Sequence, residues 1–283
     1  MSPRVMIVGV AVSMMLGLAV LVADAHDLFL RPRDFVVRAG SEVQVRVLNG
    51  TFTTSEAAVA RNRLRELTVA GPAGISHPDH AAWSDTVKES RWRVTLREPG
   101  THVLGASLEP KTIRLSGTEF NGYLLEEGLP QVHAARKAAR QLGDSAHERY
   151  AKHVKALVRV QGEGRVTTSP ADTAYRLALG YAAELVPLDD PYRLAPGGSL
   201  RVRALVDGRP VANLVVQAGG RTPSGRRIAQ REARTDAAGI ARFALGARGI
   251  WYVKFISMRP VAASAGDSVN YESKWATLTF ARP

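Results

Sequence analysis

Short runs in which apolar and polar residues alternate are the feature that most limits how this chain can fold. In the run from Glu42 to Leu48 the valines Val43, Val45 and Val47 fall on every second residue, which is the period of a strand with one buried face. Similar short runs occupy residues 64–69, 92–96 and 102–106. The turn pairs Gly71-Pro72 and Pro99-Gly100 separate them. This pattern predicts an antiparallel β-sandwich over residues 26–118.

A second group of strand-like runs occurs near the end of the sequence. Its members are residues 200–206, 211–216, 240–245, 250–256 and 275–280. Asp207-Gly208, between the first two runs, is typical of a two-residue hairpin turn. We therefore predict a second sandwich, of the immunoglobulin-like type, over residues 163–283.

Between the two β regions, residues 119–162 have a helical character. Val132, Ala135, Ala139 and Leu142 share one helical stripe. After Gly143, Ser145 and Glu148 have the spacing of a capping box, which predicts a second helix through Tyr150, Val154 and Leu157. The predicted fold is thus mainly β, with two immunoglobulin-like antiparallel β-sandwich domains and an inserted helical hairpin. The basic residues of the insertion are expected on its solvated side.

The first residues have the pattern of an export signal. Arg4 precedes an apolar run over residues 5–22, and Ala23 and Ala25 occupy the two positions that a signal peptidase reads. We predict that residues 1–25 are a cleaved signal peptide and that the protein is periplasmic. No later run approaches the roughly 20 apolar residues of a membrane span, so no membrane insertion is expected after cleavage.

The composition limits which metal ligands and which partners this chain can have. The sequence has no cysteine, which leaves nitrogen and oxygen as the metal ligands available to it. The formal net charge is +12, but an exported chain is not expected to meet nucleic acid; anionic lipids or cell-surface polymers are the partners this charge could attract. No Gly-x-Ser-x-Gly, His-Glu-x-x-His or Walker motif indicates a hydrolase.

The predicted cleavage site would make His26 the first residue of the exported protein. A leading histidine carries an α-amino group and an imidazole, whose usual pKa values are near 8 and about 6.5, so both nitrogens can bind a metal ion near neutral pH. Nitrogen and oxygen ligands of this kind suit nickel, cobalt or copper(II).

Further ligands must come from elsewhere in the chain. His102 follows the Pro99-Gly100 turn at a predicted strand end, and Glu56 is the acidic candidate. Asp27 would point away from His26 in an extended segment. The predicted metal ligands are therefore His26, His102 and Glu56, and the loop His77-Pro78-Asp79-His80 is an alternative site.

Several segments together resemble a known family. The resemblance rests on residues 26–32, 120–129, 148–157, 184–188, 190–192, 207–211, 235–239 and 271–280. They are similar to the exported domain-of-unknown-function family 4198, whose members are described as periplasmic components of nickel or cobalt uptake systems. Residues 49–56 also resemble the family, with Thr51 where a histidine often stands.

The resemblance implies an accessory protein, not an enzyme, that binds a divalent transition metal, nickel or cobalt, and delivers it to metal transporter components of the cell envelope. Two other classes of function stay open. One is a non-catalytic cell-envelope binding or adhesion module. The other is a copper-dependent enzyme that holds its ion through a leading histidine and a second histidine.

Overall fold

The computed structural model describes residues 26–162, 172–262 and 267–283. The predicted signal peptide, with its cleavage site, lies outside the described residues. In chain order the strands are β1 (Asp27–Pro32), β2 (Val36–Arg38), β3 (Ser41–Gly50), β4 (Leu64–Gly71), β5 (Gly74–Ser76), β6 (Trp83–Asp85), β7 (Ser90–Leu96), β8 (Gly100–Leu108), β9 (Lys111–Leu115), β10 (Ala146–Gln161), β11 (Ala183–Pro187), β12 (Ser199–Val206), β13 (Arg209–Pro210), β14 (Val215–Arg221), β15 (Arg227–Arg234), β16 (Ile240–Ala244), β17 (Gly249–Pro260) and β18 (Tyr271–Arg282). The helices in these ranges are α1 (Gly117–Glu126) and α2 (Pro130–Ala138).

The described strands form three sheets, which confirms that the chain is mainly β. The N-terminal sheet has the order β1-β3-β7-β6, and the C-terminal sheet has the order β11-β12-β13 with β16 also paired to β12. The central sheet runs β15-β14-β17-β18-β10-β8-β4-β5, and β2 and β9 also pair with β10. Most neighbours are antiparallel, but β10 pairs with β18 and β2 in parallel. The predicted Asp207-Gly208 turn joins the paired strands β12 and β13.

The central sheet is covered on both faces, and its strands contribute to two hydrophobic cores. Val154, Ala156 and Val158 of β10 pack in one core with residues of the N-terminal sheet. Leu157, which points to the other face, packs in a second core with residues of the C-terminal sheet. The central sheet therefore contributes to both cores, and residues from both predicted sandwich ranges supply its strands.

The prediction of a second helix after Gly143 is wrong, because residues 146–161 form strand β10. Alanine, glutamate and lysine give this segment a high helix propensity, but propensity yields to tertiary pairing on both strand edges. Several of its basic residues, expected in solvent, are also buried: Lys152 is 5% and Lys155 is 2% exposed.

The helices lie earlier than predicted. Helix α2 covers part of the first predicted helix, and α1 precedes it with a capping box formed by Ser116 and Glu119 rather than by Ser145 and Glu148. Phe120 and Leu124 of α1 and Val132 of α2 pack against residues of the central sheet in a third core. No helix among the described residues is long and apolar enough to cross a membrane.

Candidate metal site at His26

His26 is held in place by the strand that follows it. Strand β1 pairs with β3 in a register that sets Asp27 opposite Gly50. Leu28 and Leu30 are buried, and the Thr277 hydroxyl of β18 donates a hydrogen bond of 2.7 Å to the carbonyl of Leu28. The buried Lys152 ammonium donates to the carbonyl of His26 itself. The main chain of His26 is therefore fixed by the central sheet, although the residue lies at the start of the described chain.

A tight turn after β3 carries Glu56 back toward the same point. The Thr51 N–H donates to the carbonyl of Thr54 at 2.9 Å, and the Thr51 hydroxyl accepts from the N–H of Thr54 at 3.1 Å. Gly50 has a φ of 156°, and a Cβ there would lie 2.6 Å from the Thr54 carbonyl oxygen, so the turn requires glycine. The Glu56 N–H then donates to the carbonyl of Asn49 at 2.9 Å.

The turn brings two of the three predicted ligands together. His26 Nε2 lies 2.9 Å from Glu56 Oε2, with side chains that are 23% and 39% exposed. The two groups are not aligned as a hydrogen bond, and Nε2 has no hydrogen-bond partner among the described residues. The separation is that of a histidine–carboxylate ion pair. It is also compatible with a shared metal ion, because ligands bound at about 2.1 Å in neighbouring positions of one ion stand about 3.0 Å apart.

The ring orientation limits which donors of His26 can act on one ion. If the predicted cleavage frees the α-amino group of His26, that group can close a chelate ring only with Nδ1, the nearer ring nitrogen, whereas Nε2 is the atom that faces Glu56. One ion can therefore be bound by Nε2 and Glu56, or by the amine and Nδ1 with Glu56 accepting from Nε2–H. In the second arrangement Glu56 fixes the tautomer of the ring.

Asp27 faces away from this pair, as the alternation of an extended chain predicts. Its Oδ2 lies 2.6 Å from Lys254 Nζ, which also lies 2.7 Å from Glu127 Oε2. Burial lowers the pKa of Lys254, but Asp27 and Glu127 outweigh that effect and raise it. Burial raises the pKa of Glu127, and the charge of Asp27 adds to the increase. These two partly buried carboxylates are thus paired with Lys254.

His102 is not brought to the other two predicted ligands. It is 5% exposed on β8, where it pairs with Val158 of β10. The lysine that holds His26, Lys152, is six residues away on β10, or about 20 Å along the strand. The ring packs against Gly71, where a Cβ would lie 2.5 Å from it. Burial lowers the pKa of His102, with only partial compensation from the Gly100 backbone and Asp172.

The candidate ligands of the alternative loop, residues 77–80, are not grouped as a metal site either. His77 Nδ1 lies 3.3 Å from Glu66 Oε1, and the Asp79 carboxylate accepts the N–H of Ala81 at 2.5 Å. Within the described ranges, no three histidine, aspartate or glutamate side chains are grouped as a metal site. The described residues therefore bring two of the predicted side-chain ligands together, His26 and Glu56, and no third one.

The sequence did not reveal two further features of the site. One is the hydrogen bond from Lys152, because residues 145–158 were expected to be helical. The other is an aromatic cluster formed by Phe29, Phe52 and Tyr252, whose ring centroids lie 4.8 to 5.2 Å apart. Phe52 belongs to the turn that carries Glu56, so its contacts with Phe29 and Tyr252 hold the turn against β1 and β17. The aromatic residues were visible in the sequence, but only the register of β1, β3 and β17 brings them together.

A family model shows which family the chain belongs to. The chain is a member of the family described as domain of unknown function DUF4198, whose model matches residues 23–259. The match confirms the predicted resemblance to this family. No curated protein matches the sequence.

Similarities to solved structures are distant. A DUF4785 family protein from Legionella pneumophila is 10% identical, with a TM-score of 0.24, over 79% of this chain and 50% of that one. A tetra-tandem repeat from the extending region of a large adhesion protein is 12% identical, with a TM-score of 0.23, over 89% of this chain and 48% of that one. Trypsin-activated alpha-2-macroglobulin from Escherichia coli is 10% identical, with a TM-score of 0.22, over 92% and 16%. The chain thus spans half or less of each of these structures.

Proposed function

We propose that this protein binds a divalent transition metal ion, nickel or cobalt, at His26 and Glu56, and delivers it to transporter components of the cell envelope. The observation that carries the proposal is the separation of 2.9 Å between His26 Nε2 and Glu56 Oε2 without hydrogen-bond alignment. The proposal includes export to the periplasm and removal of residues 1–25. The scaffold in this proposal is a pair of immunoglobulin-like sandwiches, in keeping with the four strands of each outer sheet.

A site with two protein ligands suits delivery better than storage. One imidazole nitrogen and one carboxylate oxygen leave several coordination positions of nickel or cobalt open. Open positions allow an incoming ligand of a transporter to bind before the ligands of this protein leave. Glu56 is the more exposed of the two side chains and Nε2 of His26 is buried, so we expect a partner to approach the ion from the side of the carboxylate.

The second arrangement uses the amine. If His26 binds through its α-amino group and Nδ1, the ion is chelated and Glu56 acts as the acceptor that orients the ring. Both arrangements need His26, but only the second one needs a free amine directly on it.

The test is calorimetric titration of protein that begins at His26 with nickel, cobalt, copper and zinc. We expect nickel or cobalt to bind one site, His26→Ala to abolish that binding, and Glu56→Gln to weaken it at least tenfold. Matched controls are His133→Ala on α2 and Glu42→Gln on β3, which should leave the affinity unchanged. Failure of the starting protein to bind, or equal binding by His26→Ala, would refute the proposal.

An extra alanine ahead of His26 separates the two arrangements. Unchanged affinity in this variant indicates binding by Nε2 and Glu56, and lost affinity indicates chelation by the amine and Nδ1. The copper-enzyme alternative needs a second histidine beside the first, and His102 does not lie there. The adhesion alternative predicts affinity for glycans that does not depend on His26.

A further inference from the structure

Three arginines stand side by side on the outer face of the N-terminal sheet. Arg31 of β1 lies directly opposite Arg46 of β3, and Arg46 lies directly opposite Arg91 of β7. Directly opposed residues have Cβ atoms about 5 Å apart on the same face, and like charges in such pairs are destabilising. The strand register thus aligns three guanidinium groups in one row, at a cost in stability that a bound anion would relieve.

The row borders a cavity. Its volume is about 300 Å³, and its lining includes Arg31, Arg46 and Arg91, a fourth arginine at position 33, and Ile250 of β17. A volume of this size is at the lower end of the range for small-molecule sites. The four arginines therefore border one half-open cavity.

One carboxylate balances only part of this charge. Glu89 lies between two of the arginines and accepts hydrogen bonds from Arg46 Nε at 2.8 Å and from Arg91 Nε at 3.0 Å. Both hydrogen bonds lower the pKa of Glu89, and the one from Arg46 has the larger effect. Glu89 is therefore ionised at neutral pH. Four guanidinium groups and one carboxylate leave three positive charges around the cavity.

Arg31 is the arginine of the row whose positive charge is least balanced by a carboxylate. It donates to the carbonyl of Phe52 at 3.0 Å, and neither it nor Arg33 has an ion pair within the described residues. Burial lowers the pKa of Arg31, and the charges of Arg46 and Arg221 lower it further. Its strongest charged neighbours are therefore cations, which is the environment that an anion would find most favourable.

We propose that this cavity, hereafter the arginine pocket, binds a phosphate group that carries close to two negative charges, either as free phosphate or on a small organic molecule. Arginine presents a planar pair of donors that matches phosphate oxygens. A phosphate monoester carries about −1.5 to −2 charges near pH 7 and three acceptor oxygens, and so balances the pocket better than a single carboxylate does. This inference does not rest on the metal site.

The experiment is calorimetric titration of the intact exported chain with inorganic phosphate and with glycerol phosphate, at low ionic strength near pH 7.5. We expect saturable binding that sodium chloride at equal ionic strength does not reproduce. Arg31→Gln and Arg33→Gln should each weaken it about tenfold or more, since each removes charge-assisted hydrogen bonds. Tighter binding of glycerol phosphate points to an organic ligand, and equal binding points to free phosphate.

Arg242→Gln is the matched control, because it removes the same charge from an exposed position on β16. It should change the affinity less than twofold. Arg33 is exposed, so its substitution should not disturb folding, and nickel or cobalt binding should be unchanged in that variant. Absence of saturable binding for both ligands, or equal weakening by Arg242→Gln, would overturn the proposal.

Discussion

His153 is a buried, neutral residue whose titration links pH to stability. It is 4% exposed on β10, and its Nδ1 lies 2.9 Å from the hydroxyl of Ser107. Burial, reinforced by the charges of Arg65 and Lys274, lowers the pKa of His153 from 6.5 to about 4. Between these values the unfolded chain binds the proton and the folded chain does not, so stability falls as the pH decreases through this window.

We predict that His153 accounts for a loss of about 2 to 3 kcal/mol in the free energy of unfolding between pH 7 and pH 4.5. His153→Gln should lower stability at pH 7, and its disadvantage relative to the natural protein should shrink toward pH 4.5. Urea unfolding at a series of pH values measures both curves. His133→Gln is the control and should run parallel to the natural protein; parallel curves for His153→Gln would contradict the prediction.

The candidate site shows which residue contacts a sequence can predict. His26 and Glu56 meet because β1 pairs with β3 and because the turn after β3, which requires Gly50, brings Glu56 back beside the start of β1. Both steps join segments that are close in sequence. The position of His102 depends on the pairing of β8 with β10, and that pairing joins segments about 55 residues apart in sequence. Its distance from His26 could not be inferred while β10 was expected to be a helix.

At the scale of elements, β10 is the segment whose secondary structure the sequence pattern did not predict. The runs at 42–48 and 92–96 each have one buried face, and the run at 102–106 is short and mostly apolar; these runs and the one at 64–69 were predicted as strands and confirmed. Strand β10 is buried on both faces, so apolar residues occur on each side and neither period dominates. Its lysines and arginines were expected in solvent, whereas the structure pairs them with partners from other strands.

The buried pair between Lys155 of β10 and Glu184 of β11 connects the central and C-terminal sheets. Lys155 Nζ lies 3.0 Å from Glu184 Oε2, and the two side chains are 2% and 1% exposed. The Glu184 carboxylate also accepts the N–H groups of Leu179 and Tyr181 at 2.7 and 2.9 Å. Removing the lysine therefore leaves a buried charge that keeps only backbone donors.

We predict that Lys155→Met lowers the free energy of unfolding by about 3 kcal/mol, because breaking a buried pair leaves one charge uncompensated. The double variant Lys155→Met/Glu184→Gln should recover part of this loss. Arg201→Met, which removes the exposed pair with Asp189, should cost less than about 1 kcal/mol. Chemical denaturation of the natural protein and these three variants provides the comparison; a double variant no more stable than Lys155→Met would contradict the prediction.

At the scale of the whole molecule, the shared central sheet joins the halves of the chain. Residues 148–156 of β10 pair with residues 271–279 of β18, and the Thr277 hydroxyl bonds to the start of β1. The last described strand thus lies beside the middle of the chain and supports its first strand. Separate unfolding of the N-terminal or the C-terminal sheet would expose one face of the central sheet, which is apolar on both sides.

We therefore predict that both halves of the chain unfold in one transition, because neither outer sheet can be lost without exposing one apolar face of the shared central sheet. Trp83 and Trp92 report on the first core, while Trp251 and Trp275 lie in the other cores. In the variants Trp83→Phe/Trp92→Phe and Trp251→Phe/Trp275→Phe, fluorescence reports on one part only. Within each variant the urea midpoint from fluorescence should coincide with that from far-ultraviolet circular dichroism. Two independent sandwiches would instead give fluorescence midpoints that depart from circular dichroism in opposite directions in the two variants.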